Sequence, residues 1–342
     1  LSGVKCINNK HINSKITAVI TAFVILALFI CGCGTNAGSS ENTSQETKDY
    51  TLFSKLNSQS DVLLSPYSVS NALCVADSDV SLAGFTNDSS KTASGLFDLS
   101  GSKVLEAKSI FTKVYPASTT KILTAYLALK YGNLDDTVTV SENAVNLESG
   151  SQMCGLKAGD KLSLHDLLYG LLLYSGNDAA VAVAEYISGS ADAFVALMNK
   201  EAASMMAASS HFANPDGLHD DNHYTTVYDL YLIFNECIKN ETFTTIIDTP
   251  SYTGTITHAD GTQERITWKA TNYYFQGYAD PPANITVLGG KTGTTDEAGS
   301  CLILYTKDSN QKPYISIIMD ASNKTNLYEM MNELLSNIPA GS

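Results

Sequence analysis

Pro116-Ala117-Ser118-Thr119-Thr120-Lys121 leads straight into an apolar run, Ile122-Leu123-Thr124-Ala125-Tyr126-Leu127-Ala128-Leu129, with Gly132 just beyond it. Ser118 and Lys121 are three positions apart, so a helix puts both side chains on one face, one turn apart. A helix that is apolar all round belongs in the middle of a domain, and Gly132 supplies its stop. The stretch therefore places a hydroxyl at the first turn of a buried helix, with an amine one turn below. A serine is a poor nucleophile until a base takes its proton. Burial and a neighbouring positive charge can hold a lysine neutral enough to be that base. The helix N-terminus offers free backbone N–H groups to a developing oxyanion.

Ser-x-x-Lys also occurs at Ser2–Lys5, Ser100–Lys103 and Ser309–Lys312, so spacing alone does not single out Ser118. Two stretches further along the chain do. Tyr174-Ser175-Gly176-Asn177-Asp178 lies between two apolar helical stretches, with Ser175 57 residues after Ser118. Gly289-Gly290-Lys291-Thr292-Gly293-Thr294 leads into a β-hairpin, with Lys291 116 residues after Ser175. Ser-x-Asn recurs at Ser40 and Ser141, but Lys-Thr-Gly occurs once. The ordered triplet, each member at a junction between elements, carries the signal.

This set resembles the low-molecular-mass penicillin-binding proteins, the serine-type D-Ala-D-Ala carboxypeptidases. The resemblance extends over Tyr115–Lys121, Asp166-Leu167-Leu168-Tyr169-Gly170-Leu171-Leu172, Ser175-Gly176-Asn177-Asp178-Ala179-Ala180, Phe212-Ala213-Asn214-Pro215-Asp216-Gly217-Leu218 and His223-Tyr224-Thr225-Thr226, from about Lys91 to the C-terminus. It implies that Ser118 attacks the penultimate D-Ala carbonyl and forms an acyl-enzyme, with Lys121 accepting its proton. It further implies that Ser175 relays a proton to the leaving D-Ala, helped by Lys291, whose charge also keeps Lys121 neutral. Asn177 would orient Lys121 and hold the substrate amide, while Thr292 and Thr294 bind the terminal carboxylate. The Ser118 and Thr294 backbone N–H groups would form the oxyanion hole, and Gly293 would allow close approach of the strand. The implied partners are peptidoglycan stem peptides ending in D-Ala-D-Ala and, as inhibitors, β-lactams; no cofactor or metal is implied.

Two competing functions are weaker. A class A β-lactamase would need a Glu-x-x-Leu-Asn loop after Ser175; the nearest stretch, Val195-Ala196-Leu197-Met198-Asn199, has Val195 where the Glu would be. A non-catalytic wall-binding or β-lactam-sensing lipoprotein would not need Ser118, Lys121, Ser175 and Lys291 together.

The chain has 342 residues, is 44% hydrophobic and carries a formal charge of −14. Three of its basic residues, Lys5, Lys10 and Lys15, lie in an N-terminal segment without acidic residues. The acidic balance excludes nucleic acid as a partner and a polybasic membrane patch as an anchor. Ile16 to Ile30 is an apolar run of 15 residues, short for a span and suited to a secretion signal. Ile30-Cys31-Gly32-Cys33 resembles a bacterial lipoprotein cleavage box, which makes residues 1–33 a signal and Cys33 a lipidation site. The mature chain is then expected on the extracytoplasmic face of the membrane, held by an N-terminal lipid. Residues 34–49 hold no large apolar residue before Tyr50 and read as a polar tether. Residues 50–90 show no clear element; residues 91–342 form the catalytic domain.

The pattern within 91–342 predicts a hairpin over Ala93–Lys108 turning at Ser100-Gly101. Helices are predicted over His165–Leu173, Ala179–Ser188, Ala191–Ala208, Thr226–Lys239 and Asn326–Ser336. Strands are predicted at Thr137–Val140, Tyr252–Thr257, Ile266–Lys269, within Val287–Tyr305 and at Tyr314–Met319. Helices in the middle with strands on either side predict an α+β fold, an antiparallel sheet flanked by helices. The resemblance adds an inserted helical subdomain, as in DD-peptidases and β-lactamases. Asn214-Pro215-Asp216-Gly217 reads as a turn, and His223 as a loop-fixing residue. Tyr273-Tyr274 reads as core or strand packing, with lining of a wall-peptide groove as the alternative. Cys74, Cys154, Cys237 and Cys301 fit either disulfides or buried free thiols.

Overall fold

The computed structural model describes residues 73–89 and 91–339. The segments read as signal (1–33, with Cys33) and tether (34–49), and residues 50–72, lie outside the described residues. In chain order the elements begin with β1 (Ala93–Asp98), β2 (Lys103–Lys108), a 3-10 turn (Ala117–Thr120), α1 (Lys121–Tyr131) and β3 (Thr137–Thr139). Next come α2 (Glu142–Val145), β4 (Lys161–Ser163) and α3 (Leu164–Tyr169), and a π-turn (Gly170–Tyr174) leads into α4 (Asn177–Ser188). Then come α5 (Ala191–Ser204), α6 (Val227–Cys237), α7 (Glu241–Ile247), β5 (Ser251–Thr257) and β6 (Gln263–Lys269). The described chain closes with α8 (Tyr273–Gln276), β7 (Ile285–Thr295), β8 (Gly299–Asp308), β9 (Pro313–Ala321) and α9 (Lys324–Ser336).

The β1–β2 turn forms where expected because Asp98 Oδ1 accepts from the Ser100 and Gly101 amides at 2.9 and 3.0 Å. β1 pairs on its other side with β9, from Ala93 opposite Met319 to Asp98 opposite Tyr314. The resulting antiparallel sheet runs β2-β1-β9-β8-β7, which leaves β7 on an outer edge. Both faces are covered. Leu96, Leu302, Leu304 and Ile318 pack under Leu327, Met331, Leu334 and Leu335 of α9. Phe97, Ile303, Ile315 and Ile317 face the larger core that holds α1 and α6. Burial on both faces explains why β8 and β9 read as continuous apolar runs rather than alternating ones.

A second antiparallel sheet, β3-β4-β5-β6, stands apart from the first. Three of its strands, β3, β5 and β6, match the expected ones, but β4 and the separation of these strands into their own sheet were not anticipated. Trp268 of β6 is buried against the corner after α3 and donates from Nε1 to the Cys154 carbonyl at 3.2 Å. This sheet and the helices α2–α5 lie between β2 and β7 in sequence, which is the inserted subdomain. The fold is α+β, as the pattern predicts.

Some boundaries differ. α5 ends at Ser204 rather than Ala208, and α7 comes after α6 as a separate helix, capped by Asn240 accepting from the Phe243 amide at 3.1 Å. Residues 73–89 are packed along β2: Val80 and Ala107 exchange backbone hydrogen bonds of 2.8 and 2.9 Å. The Cys74 amide donates to the Tyr231 hydroxyl at 2.8 Å. All four cysteines of the described residues are free and buried, which settles the choice in favour of thiols.

Candidate active site

The turn that carries Ser118 is gripped from two sides. It is a 3-10 turn rather than the first turn of the α-helix, and Lys121 is the first α-helical residue. Ala117 has φ +45, a left-handed conformation that a residue with a β-carbon adopts only under constraint. The constraint comes from neighbours. Gly217 of the 211–223 loop has φ +88, and a β-carbon there would sit 1.9 Å from the Ala117 carbonyl oxygen. On the opposite side, a β-carbon on Gly293 would sit 3.1 Å from both the Pro116 carbonyl oxygen and the Ser118 nitrogen. Gly293 thus serves close approach of β7 to the serine turn. Ser118 and Thr294, whose amides are the expected oxyanion donors, line one cavity.

Lys121 is fully buried and its Nζ has three neighbours: Ser118 Oγ at 3.0 Å, Asn177 Oδ1 at 2.7 Å and the Asp216 carbonyl at 2.6 Å. Two of these can only accept. A neutral amine has two N–H groups and one lone pair, so donation to Asn177 and Asp216 leaves the lone pair for the Ser118 hydroxyl. Burial pushes Lys121 down to about 8, against the opposing pull of Asp216, Cys154 and Asp178. The base therefore operates close to neutrality.

The 211–223 loop builds this geometry. Thr124 Oγ1 donates to the Pro215 carbonyl at 2.6 Å, and the Gly217 amide donates to Asn214 Oδ1 at 2.7 Å. The Ala213 amide donates to His223 Nδ1 at 3.2 Å, which leaves Nε2 to carry the proton toward Thr120 Oγ1 at 2.8 Å. Burial pushes His223 down to about 4 against the opposing pull of Asp220, with His211, Lys121 and His219 adding to the burial. His223 is a neutral prop for the loop, as read from the sequence.

Ser175 sits at the end of the π-turn with φ +67. A π-turn here swings the serine out of the helical path, a device common at functional sites. Two residues on, Asn177 opens α4, and the Asp178 carboxylate accepts from the Cys154 and Leu156 amides at 2.8 and 3.2 Å. The corner and the 152–156 loop are thereby fixed together. Lys291 Nζ donates to Ser175 Oγ and to the Thr292 carbonyl, both at 2.9 Å. It is held well below its usual range by burial and then by the charge of Lys121. The repulsion between the two amines is mutual, so charge on either one disfavours a proton on the other.

The cavity between these elements measures about 130 Å³. Ser118, Ser175, Thr292, Gly293 and Thr294 all line it, and Asn177 and Lys291 stand directly behind. Every motif residue read from the sequence within the described chain is thus brought together. Gln152, Thr271 and Lys324 also line the cavity and were not anticipated, and Tyr273 lines it too. Tyr273 contributes a wall as well as packing, stacking on Tyr328 at 4.7 Å. Among the described residues no three His, Cys, Asp or Glu side chains converge in a metal-binding group.

A family model described as D-alanyl-D-alanine carboxypeptidase matches residues 86–323. The D-alanyl-D-alanine carboxypeptidase DacF of Bacillus subtilis is 36% identical over 227 residues, 64% of this chain and 54% of that one. A D-alanyl-D-alanine carboxypeptidase of Streptomyces sp. (strain K15) is 36% identical over 211 residues, 58% of this chain and 70% of that one. DacA of Haemophilus influenzae is 32% identical, with 66% of this chain and 55% of that one covered. The chain thus spans about half the length of most of these relatives. Among solved structures, the Streptomyces K15 DD-transpeptidase matches with TM-score 0.67 and 28% identity, over 74% of this chain and 98% of that one.

Proposed function

The chain belongs to the D-alanyl-D-alanine carboxypeptidase family, and on that premise we propose that it releases the terminal D-Ala from stem peptides through an acyl-enzyme on Ser118. Lys121 draws the proton from the Ser118 hydroxyl as Oγ attacks the penultimate D-Ala carbonyl. The Ser118 and Thr294 amides receive the oxyanion. Ser175, hydrogen-bonded to Lys291, hands a proton to the departing D-Ala nitrogen. Water then releases the shortened peptide. Thr292, Thr294 and Lys291 meet the terminal carboxylate, and a carboxylate beside Lys291 raises its affinity for a proton. A β-lactam presents a strained amide and a carboxylate to the same groups, so it acylates Ser118.

The observation that supports this reading best is the pairing of Lys121 Nζ with Ser118 Oγ while both other acceptors claim its protons. The test is free D-Ala released from a peptide ending in D-Ala-D-Ala. Wild-type protein should release it, and Ser118→Ala should neither release it nor take up labelled penicillin. Labelling that survives Ser118→Ala sinks the assignment. The K15 likeness suggests an added arm: an amine acceptor that diverts the acyl group from water reveals transpeptidation. For location, we propose that a lipid on Cys33 holds the protein on the extracytoplasmic face of the membrane, motivated by Ile30-Cys31-Gly32-Cys33. Mass spectrometry of cell-derived protein should find a lipidated chain beginning at Cys33; an intact 1–33 segment rules this out.

A further inference from the structure

Thr271 comes just after β6 and lies outside every motif read from the sequence. Its backbone is pinned on both sides. The Thr271 amide donates to the Leu173 carbonyl at 3.0 Å, and the Ala270 amide donates to the Pro250 carbonyl at 2.8 Å. Asn272 caps the next helix through Oδ1, which accepts from the Tyr274 amide at 3.1 Å. The side chain is therefore delivered to a fixed place on the cavity wall. There its Oγ1 stands 2.6 Å from Oγ1 of Thr292.

A pair of hydroxyls this close shares one proton along the line between them. If Thr271 donates, Thr292 accepts and its own proton is free to point into the cavity. If Thr292 donates, its proton is spent on Thr271. A carboxylate in the cavity only accepts, so it favours the first arrangement. Thr294 is not prepared in this way, because its hydroxyl donates to the adjacent Gly293 carbonyl at 2.7 Å. Of the two threonines read as carboxylate ligands, Thr292 alone has a partner that can turn its proton outward.

We propose that Thr271 is a positioning residue for carboxylate recognition, donating to Thr292 so that the Thr292 hydroxyl donates to the terminal carboxylate of the substrate. The assignment rests on the carboxypeptidase reading and adds to it a means of selecting acids over neutral ends. Thr271→Val keeps the shape and removes the hydroxyl; Thr271→Ser keeps the hydroxyl.

The experiment compares peptides ending in D-Ala-D-Ala acid and in the corresponding C-terminal amide, with melting curves for each variant. A hydrogen bond to a charged acceptor outweighs one to a neutral acceptor, so Thr271→Val should lower kcat/KM for the acid about tenfold, mainly through KM. The amide should change less than about twofold, and Thr271→Ser should restore the acid to within about twofold of wild type. If Thr271→Val does not fold, Thr271→Ala carries the same comparison. Equal losses on acid and amide, or no loss on either, overturn the assignment while leaving the proposed function intact. A wild-type protein that turns over neither peptide overturns both.

Discussion

Replacing Lys291 by methionine keeps the bulk of a buried side chain and removes its amine. Lys291 is only 1% exposed and donates to Ser175 Oγ and the Thr292 carbonyl at 2.9 Å each. Its loss strips Ser175 of its donor and leaves the substrate carboxylate without the cation behind the cavity. Removing one partner of a buried charge-assisted contact costs about 2–5 kcal/mol, or about 30- to several-thousand-fold in rate. The pH profile should respond as well. Lys121 is pushed down to about 8 by its own burial, opposed by Asp216, Cys154 and Asp178, and the charge of Lys291 repels its proton as its own charge repels that of Lys291. Attack needs the neutral amine, so kcat/KM rises with pH until it levels off above about 8. Roughly a tenth of the molecules are neutral at pH 7, giving about a tenfold climb to the plateau. In Lys291→Met the plateau should fall and the midpoint should move upward, because the charge that repels the Lys121 proton is gone. The assay is second-order acylation by a fluorescent penicillin from about pH 6 to about pH 9.5, with circular dichroism to confirm the fold. Acylation near the wild-type rate removes Lys291 from the machinery. A midpoint unmoved from about 8 argues against the repulsion between the two amines.

Packing and titration give three further expected outcomes. Gly217→Ala drives a β-carbon to 1.9 Å from the Ala117 carbonyl oxygen; acylation at Ser118 should fall at least about a hundredfold, and unchanged acylation refutes the gripped-turn account. Glu106 is buried, hydrogen-bonded to Ser94 Oγ at 2.9 Å, and pushed up to about 7 by burial. Because its folded pKa is raised, its contribution is present below about 4.5 and lost as pH rises through about 7. Glu106→Gln should therefore be more stable than wild type above pH 7, by an order of 2 kcal/mol, in urea titrations; equal stability at every pH argues against it. His258 lies between Asp160 Oδ1 at 2.8 Å and Glu264 Oε2 at 3.0 Å, and the Asp160 hydrogen bond raises its pKa. Its contribution is present at acidic pH and fades as pH rises through that raised value, so His258→Ala should lower Tm more at low than at high pH. A pH-independent deficit counts against the clasp.

Legibility in the sequence tracked the kind of signal each feature leaves. Ser118, Lys121, Ser175, Asn177 and Lys291 act through side chains at fixed local spacings, so their motifs carried both identity and role. Asp216 meets Lys121 through its backbone carbonyl, which any residue carries, so its position in a turn-like stretch announced nothing about the base. Thr271 and Lys324 reach the cavity through long-range packing with no local pattern. β3 and β4 are three residues each, too short for alternation to assign them to a sheet. The π-turn at Gly170–Tyr174 has the same apolar composition as α-helix, so its register change was invisible.

The four buried thiols turn the molecule into its own stopwatch. Cys154 lies behind the Ser175 corner, where β-carbons on Gly170 and Gly176 would sit 2.7 and 2.2 Å from its sulfur. Cys237 Sγ faces the Ile122 carbonyl in the first turns of α1 at 3.8 Å, Cys301 pairs with Gly293 across β7 and β8, and Cys74 marks the segment along β2. A thiol reagent in solution reaches each sulfur only when its surroundings part. The modification rate at each cysteine then measures how often that region opens, and four rates sort the molecule into regions that breathe separately or only together. Since Cys301 lines the cavity and Cys154 packs behind the Ser175 corner, covalent occupation of Ser118 should slow both clocks while leaving that of Cys74 unchanged.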